Sequence, residues 1–251
     1  MDDEGLGKQI VQGLYKERMI LTWYRDKPDG WTLASGLYSP FFINLRLICS
    51  SDPSLYRLVG KAMAELMKQN GFVSDGRHRI VGIAMAGIPL ANAATLESGV
   101  PSLYTRKLPE EVKTAQALED YMTAHGQKSL IEGEFKNGDR LAIIDDLVTM
   151  FDSKLLAKSQ IEQEVQRRNA TDVSVSDVFV LLDREQGGAE AAGKAGINLH
   201  SIIPFKSKGL DWLKELLSEV EYETIKDYLG DLQKYQTKEA QDRLRSVAQK
   251  R

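Results

Sequence analysis

The feature that most constrains the fold is an alternation of short apolar runs with helical segments over residues 79–203. Apolar strands that alternate with helices are typical of a parallel sheet with helices on both faces. We therefore predict an α/β fold with a parallel sheet flanked by helices, whose ligand binds beyond the carboxyl ends of the strands. The predicted strands are 79–84, 102–105, 140–144, 177–182 and 198–203, and the predicted helices include 88–97 and 153–168.

The segments on either side of this core have other patterns. Apolar residues recur at helical spacing over 10–23, which predicts an opening helix and a turn. Two short β-type runs, 31–33 and 41–45, predict a small N-terminal hood. The predicted organisation is an N-terminal helix and hood (1–50), a core (51–207) and a helical C-terminal extension (208–251).

Charge and cysteine content narrow the classes of partner. The chain has 33 Lys and Arg against 36 Asp and Glu, a net charge of −3, so we expect neither nucleic acid nor an anionic membrane as a partner. No apolar run approaches the roughly 18 residues of a membrane span. Cys49 is the only cysteine, which excludes an intramolecular disulfide framework and favours a cytoplasmic location.

The sharpest local feature is the pair Asp145 and Asp146, which follows the apolar run 141–144. Carboxylates at the carboxyl edge of a buried sheet are costly unless they bind cations, hydroxyls or other donors. The pair therefore predicts a site for sugar hydroxyls or magnesium. An equally weighted alternative is that the two aspartates cap a loop.

Several ordered segments resemble the orotate phosphoribosyltransferase family, which is also found as one domain of bifunctional UMP synthases. The segment 181–188, Leu-Leu-Asp-Arg-Glu-Gln-Gly-Gly, is similar to the orotate-side segment of that family nearly letter for letter. Segments 33–44 and 82–91 resemble its hood and its diphosphate loop, and Asp145-Asp146 its phosphoribosyl diphosphate motif. The resemblance runs over 33–203 and implies the type I phosphoribosyltransferase fold.

The resemblance implies transfer of phosphoribosyl from phosphoribosyl diphosphate to orotate, which yields orotidine 5′-monophosphate and pyrophosphate in pyrimidine biosynthesis. It implies that Asp145 and Asp146 hold the ribose hydroxyls and, through ribose or water, Mg²⁺. Residues 106–133 resemble the mobile catalytic loop of the family, which we call the lid. Lys107 and His125 would act from this lid over the diphosphate. The family is usually dimeric, so a homodimer is expected.

The resemblance also implies a set of substrate-binding residues. Arg184 would pair with the acidic side of orotate, while backbone groups of Phe42 and Ile43 would meet the base. The remaining implied contacts to the phosphates are Arg106, Lys113, Thr149 and Ser153.

The chain departs from the family pattern on the phosphate side. The loop 149–153 reads Thr-Met-Phe-Asp-Ser, without the usual glycine, and Asp152 puts a negative charge where a phosphate is expected. Asp152 is alternatively the N-cap of the next helix. Ala34 and Ala86 stand where the family often has lysines, and 108–124 lengthens the lid. The prediction is an orotate phosphoribosyltransferase with altered or weakened diphosphate handling. The alternative is a catalytically degenerate ligand-binding or regulatory protein of the same fold.

Overall fold

The computed structural model describes residues 3–33, 36–126 and 128–250. These residues divide into two compact units. The larger unit runs from Tyr56 to Pro204, and the smaller unit contains the described residues up to Leu55 and from Phe205 onward. The N-terminal segment and the C-terminal extension, which are far apart in the sequence, therefore belong to the same unit.

The helices and strands are numbered in chain order. The helices are α1 Asp3–Lys16, α2 Pro53–Gln69, α3 Gly87–Ser98, α4 Ala115–His125, α5 Asp152–Arg167, α6 Gly188–Lys194, α7 Leu210–Trp212, α8 Glu219–Gly230 and α9 Lys238–Ala248. The strands are β1 Ile20–Thr22, β2 Trp31–Thr32, β3 Tyr38–Ser39, β4 Phe41–Ile43, β5 His78–Gly82, β6 Ser102–Thr105, β7 Ile131–Glu132, β8 Arg140–Val148, β9 Ser174–Asp183 and β10 Asn198–Pro204. No described helix has the length and apolar character needed to cross a membrane.

The larger unit contains the predicted parallel sheet. Its strands lie in the order β10-β9-β8-β5-β6-β7, and every neighbouring pair is parallel except β6 with β7. The predicted α/β class is thus confirmed, with β7 as an antiparallel edge strand that the sequence pattern did not indicate.

Side chains alternate along the central strands, and apolar ones lie on both faces of the sheet. Leu141 and Ile143 of β8 pack in one apolar cluster with Ala157 and Ile161 of α5. On the opposite face, Phe179 of β9 makes an edge contact with Phe72, which follows α2, at 5.5 Å between ring centroids. A strand with apolar side chains on both faces is stable only between two layers, and helices supply both.

The smaller unit is held together by contacts between its two distant segments. Phe41 of β4 stacks on Phe205 at 5.4 Å and meets the edge of Tyr228 of α8 at 5.8 Å. The indole Nε1 of buried Trp23 donates to the carbonyl of Leu244 in α9 at 3.2 Å. The C-terminal helices therefore complete the core around the hood strands.

Three local predictions were wrong in detail. The opening helix ends at Lys16, and Ile20–Thr22 forms β1 against β4 instead of continuing the helix. Strand β8 extends to Val148, four residues beyond the predicted end, because it keeps pairing with β9 as far as Val148 opposite Asp183. The lid contains a helix, α4, that the sequence analysis did not predict.

Candidate functional site

The strand order predicts a ligand-binding crevice at the carboxyl end of β5. The chain passes from β5 to β6 on one side, whereas β8 lies on the other, and ligands of open α/β sheets bind where the strand order reverses in this way. Gly87 begins α3 so close to β8 that a Cβ there would lie 2.3 Å from the carbonyl oxygen of Ile144. Only glycine permits this approach, so α3 starts directly beside the acidic end of β8.

The acidic pair lies inside β8 and not after it. Asp145 pairs with Val180 of β9, and the ladder continues past Asp146. Because side chains alternate along a strand, the two carboxylates point to opposite faces of the sheet. Asp145 is buried on the face that packs against α5, while Asp146 is half-buried and accepts a hydrogen bond from the Leu147 amide at 2.7 Å. The alternative that both merely cap a loop does not hold.

Sequence reasoning missed Lys154, the charged partner of Asp145. Its Nζ lies 2.8 Å from Oδ2 of Asp145 and donates to the carbonyl of Leu147 and to Ser153 Oγ. A signal was present, since Lys154 lies three residues after the apolar Phe151 and three before Ala157, on the core-facing stripe of a helix. A lysine in that stripe indicates a buried anionic partner.

The loop after β8 turns sharply at Phe151, which has a left-handed backbone (φ 82°) and a side chain that is 2% exposed in the core. Asp152 is the first residue of α5, and no side chain caps the helix at Phe151, so the interpretation of Asp152 as N-cap was wrong. Thr149 is half-buried, and Ser153 is exposed in the first turn of α5. This long helix therefore presents its first amides at the end of the loop without a side-chain cap.

The loop after β9 lies against the loop after β8. The Arg184 amide donates to the Val148 carbonyl at 3.1 Å, and the side chain of Arg184 is buried. A Cβ on Gly188 would lie 3.0 Å from the Thr149 carbonyl oxygen. The structure thus brings Arg184, Thr149 and the acidic strand β8 together at one edge of the sheet.

Asp183 ends β9 beside this edge. Burial raises the pKa of its carboxyl above the ordinary value, and neighbouring Glu185 acts in the same direction. The Glu185 amide, which donates to Asp183 Oδ1 at 2.7 Å, and the charge of Lys154 oppose the rise. The charge of Lys154 therefore acts on a second carboxyl group of this edge besides that of Asp145.

The lid carries the remaining predicted cations on its surface. Arg106 pairs with Glu132 between β6 and β7, and Lys107, Lys113 and His125 are exposed. His125 ends α4, where its ring stacks on Tyr121 at 4.6 Å and its Nδ1 lies 3.0 Å from the Tyr121 carbonyl oxygen. The side chains of Arg106 and His125 therefore contact β7 and α4, respectively.

The lid is anchored on α5 by a small apolar cluster and a buried acid. The cluster consists of Val112, Leu118 and Leu130, with Leu108, Ala117, Tyr121, Met122 and Leu156 against it. Burial alone would raise the pKa of Glu164, but hydrogen bonds from Arg167, the Leu130 amide and Arg168 outweigh it and bring the pKa to about 2. The start of β7 is thereby tied to α5 through an ionised side chain.

Two of the predicted base-contacting residues belong to the smaller unit. Phe42 and Ile43 form β4 of the smaller unit, where Phe42 stacks on Trp31 at 6.0 Å and Ile43 is buried. Ala34 lies outside the described residues. A cavity of about 370 Å³ at Arg167 and Arg168 shares no residue with the predicted site.

Comparisons with known proteins identify the family. No family model matches the sequence. The chain is 33% identical over 200 residues to orotate phosphoribosyltransferase from Pyrobaculum islandicum, covering 79% of this chain and 89% of the relative.

Solved structures give the same result. The crystal structure of orotate phosphoribosyltransferase from Aeropyrum pernix superposes with a TM-score of 0.59 at 25% identity, covering 82% of this chain and 97% of that one. UMP synthase from Leishmania donovani superposes with a TM-score of 0.68 at 26% identity, covering 90% of this chain but only 43% of that longer protein. The chain has a type I phosphoribosyltransferase fold and is 33% identical, over 200 aligned residues, to a relative of which it covers 89%; it therefore belongs to the orotate phosphoribosyltransferase family.

Proposed function

We propose that the chain transfers the phosphoribosyl group of phosphoribosyl diphosphate to orotate. The bond between the anomeric carbon and the diphosphate oxygen breaks and pyrophosphate leaves with the bonding electrons. A bond from that carbon to a ring nitrogen of orotate forms, and the proton of that nitrogen passes to water or to the departing pyrophosphate. The observation that carries this proposal is the meeting of the acidic strand β8, the first turn of α5 and the Arg184 loop at one sheet edge. The family assignment agrees with it.

The chemistry of each group suits a different part of the substrates. Carboxylates of Asp145 and Asp146 would accept hydrogen bonds from ribose hydroxyls and stabilise positive charge that develops on the ring in the transition state. Amides at the N-terminus of α5 would donate to the 5′-phosphate, near the hydroxyls of Thr149 and Ser153.

Cations would bind the anionic ends of the substrates. The guanidinium of Arg184 would pair with the carboxylate of orotate. When the lid closes, Arg106, Lys107, Lys113 and His125 would stabilise charge on the departing pyrophosphate and exclude water.

Magnesium fits this site only through indirect contacts. Among the described residues, no three His, Cys, Asp or Glu side chains are grouped to hold a metal ion. Mg²⁺ keeps several waters and commonly binds through one or two carboxylates together with substrate phosphates, so Asp146 and Asp145 would hold it through water or ribose hydroxyls. Bound in this way, the ion would neutralise diphosphate charge.

We also propose the oligomeric state and the location of the protein. A homodimer rests on the resemblance to a usually dimeric family. A cytoplasmic location rests on the single cysteine.

The test is pyrophosphate release with orotate, phosphoribosyl diphosphate and Mg²⁺, compared with uracil in place of orotate and with no base. We expect release that requires orotate and falls at least about a hundredfold in Asp146→Asn, a loss of about 2.7 kcal/mol of transition-state stabilisation. Glu97→Gln, an exposed acid in the last turn of α3, is the matched control and should retain activity. Absence of orotate-dependent release, with phosphoribosyl diphosphate still bound, would instead support the ligand-binding alternative.

A further inference from the structure

Lys154 is a buried ammonium at the centre of the proposed site. Its side chain is 3% exposed, and its Nζ contacts Asp145 Oδ2, the Leu147 carbonyl and Ser153 Oγ. A lysine in the first turn of a surface helix ordinarily extends into water, which costs nothing. A burial this complete therefore needs the compensation that Asp145 provides.

The fold prevents Lys154 from turning outward. Phe151 and Ala157, three residues before and after it, are both buried in the core between α5 and the sheet. Residues at this spacing share one face of a helix, so anchoring of the two apolar neighbours directs Lys154 back toward β8. Lys158, one turn later, is the contrast, because it forms its ion pair with Glu162 on the exposed side of the same helix.

The acidic residues around Lys154 explain the role of its positive charge. Asp145, Asp146 and Asp183 bring three carboxyl groups to the edge where a substrate with several negative charges would bind. The charge of Lys154 opposes the rise in the pKa of Asp183 that burial causes. Without the ammonium beside it, the charge of Asp145 would repel the phosphates of the substrate.

We propose that Lys154 is a positioning residue that fixes and neutralises Asp145, so that this carboxylate can accept a ribose hydroxyl without repelling the anionic substrate. Lys154 binds Oδ2, which leaves Oδ1 for the hydroxyl. The inference rests on the proposed function, because it assigns the lysine to the binding of phosphoribosyl diphosphate.

The experiment compares Lys154→Met with Lys158→Met as the matched control on the same helix. Calorimetry with phosphoribosyl diphosphate and Mg²⁺ should give a Kd about tenfold weaker in Lys154→Met, with the Kd for orotate unchanged. Steady-state kinetics should show the loss in KM for phosphoribosyl diphosphate. Lys158→Met should leave all three constants within about twofold of wild type.

A double-mutant cycle tests whether the lysine acts through Asp145. In an Asp145→Asn background, Lys154→Met should change the Kd for phosphoribosyl diphosphate by less than about twofold. A tenfold loss that persists in that background would overturn the proposal, and so would a lower Tm of Lys154→Met with an unchanged Kd, which indicates a structural role alone.

A folding defect does not block the test. If Lys154→Met does not fold, Lys154→Gln keeps a donor to Asp145 without the charge, and a Kd within twofold of wild type for that variant would overturn the proposal. The proposed function fails separately, and the inference with it, if wild type neither binds phosphoribosyl diphosphate nor releases pyrophosphate. Wild-type turnover with an unaffected lysine variant would overturn the inference alone.

Discussion

Two neighbouring strand-to-helix turns in this protein have nearly the same left-handed backbone conformation, but one has it at a glycine and the other at a phenylalanine. After β9, the turn into α6 passes through Gly187 with φ 105° and ψ −4°. After β8, the turn into α5 passes through Phe151 with φ 82° and ψ −6°. Both residues are left-handed and precede the first residue of a helix. Glycine adopts this conformation without cost, whereas a residue with a Cβ is strained by about 1–2 kcal/mol.

Core packing offsets the strain at Phe151. Its side chain is buried among Ala157, Ile161 and Val180. Full burial of a phenylalanine contributes about 1.5–3 kcal/mol, which matches or exceeds the cost of the left-handed backbone. The loop after β8 therefore adopts a left-handed turn with phenylalanine in place of glycine. A loop sequence without glycine can thus still have the backbone conformation that glycine favours.

The comparison of the two turns changes the interpretation of the loop 149–153, where the 5′-phosphate is proposed to bind. The sequence indicated that the loop 149–153, which has no glycine, could not wrap a phosphate, and that Asp152 was either an unfavourable charge or the N-cap of the next helix. The structure has the bulky side chain in the core and Asp152 inside α5, without a side-chain cap. The feature of this turn that stays unfavourable for a phosphate is the charge of the exposed Asp152.

The largest effect is expected at Phe151. Phe151→Ala should lower the free energy of unfolding by about 3–4 kcal/mol, because it leaves a cavity and keeps the strained backbone. Phe151→Gly leaves the same cavity but relieves the strain, so it should be about 1 kcal/mol less destabilising than alanine. Urea unfolding of both variants measures the difference. At the other turn, Gly187→Ala should also lower the free energy of unfolding, because it places a Cβ on a left-handed residue. If alanine left the free energy of unfolding unchanged at both turns, the interpretation of the two turns would be wrong.

A smaller effect is expected on ligand binding at the β9 turn. Arg184→Ala removes a charge-assisted pair to the orotate carboxylate, a contribution of about 1.5–3 kcal/mol, so the Kd for orotate should rise tenfold or more. Calorimetry with orotate and with uracil, which lacks the carboxylate, measures the effect, and uracil should bind both proteins equally weakly. Arg140→Ala, an exposed arginine at the opposite end of β8, is the control. Equal orotate affinity in wild type and Arg184→Ala would remove Arg184 from the base site.

The smallest effect is expected at Asp152. Asp152→Asn removes an exposed charge near the proposed phosphate position, worth about 0.5–1 kcal/mol, so phosphoribosyl diphosphate should bind two- to fivefold more tightly. The same change should lower the Tm slightly, because an acid in the first turn of a helix is stabilising. Glu190→Gln in the first turn of α6 is the control, with a similar loss of Tm and no gain in affinity. Unchanged affinity in Asp152→Asn would place the phosphate away from this turn.

The sequence by itself determined the α/β class, the positions of the main strands and the family. Alternation of apolar strands with helices is a local pattern, because each element buries its own face, and the segment 181–188 carries the family resemblance in consecutive residues. Asp145 and Asp146 were predicted from their place after an apolar run, and Arg184 from the family resemblance of the segment 181–188.

The tertiary structure alone decided the strand order, the pairing of Asp145 with Lys154 and the core position of Phe151. It also decided that the C-terminal helices pack with the hood, where Thr22 bonds Glu221 across almost the whole chain. Sequence periodicity reports which face of an element is buried but not which distant element covers it. In the sequence, Asp145 looked like the end of a strand, because the cation that compensates its charge lies in another element. Only the packing of α5 on the sheet brings Lys154 to Asp145.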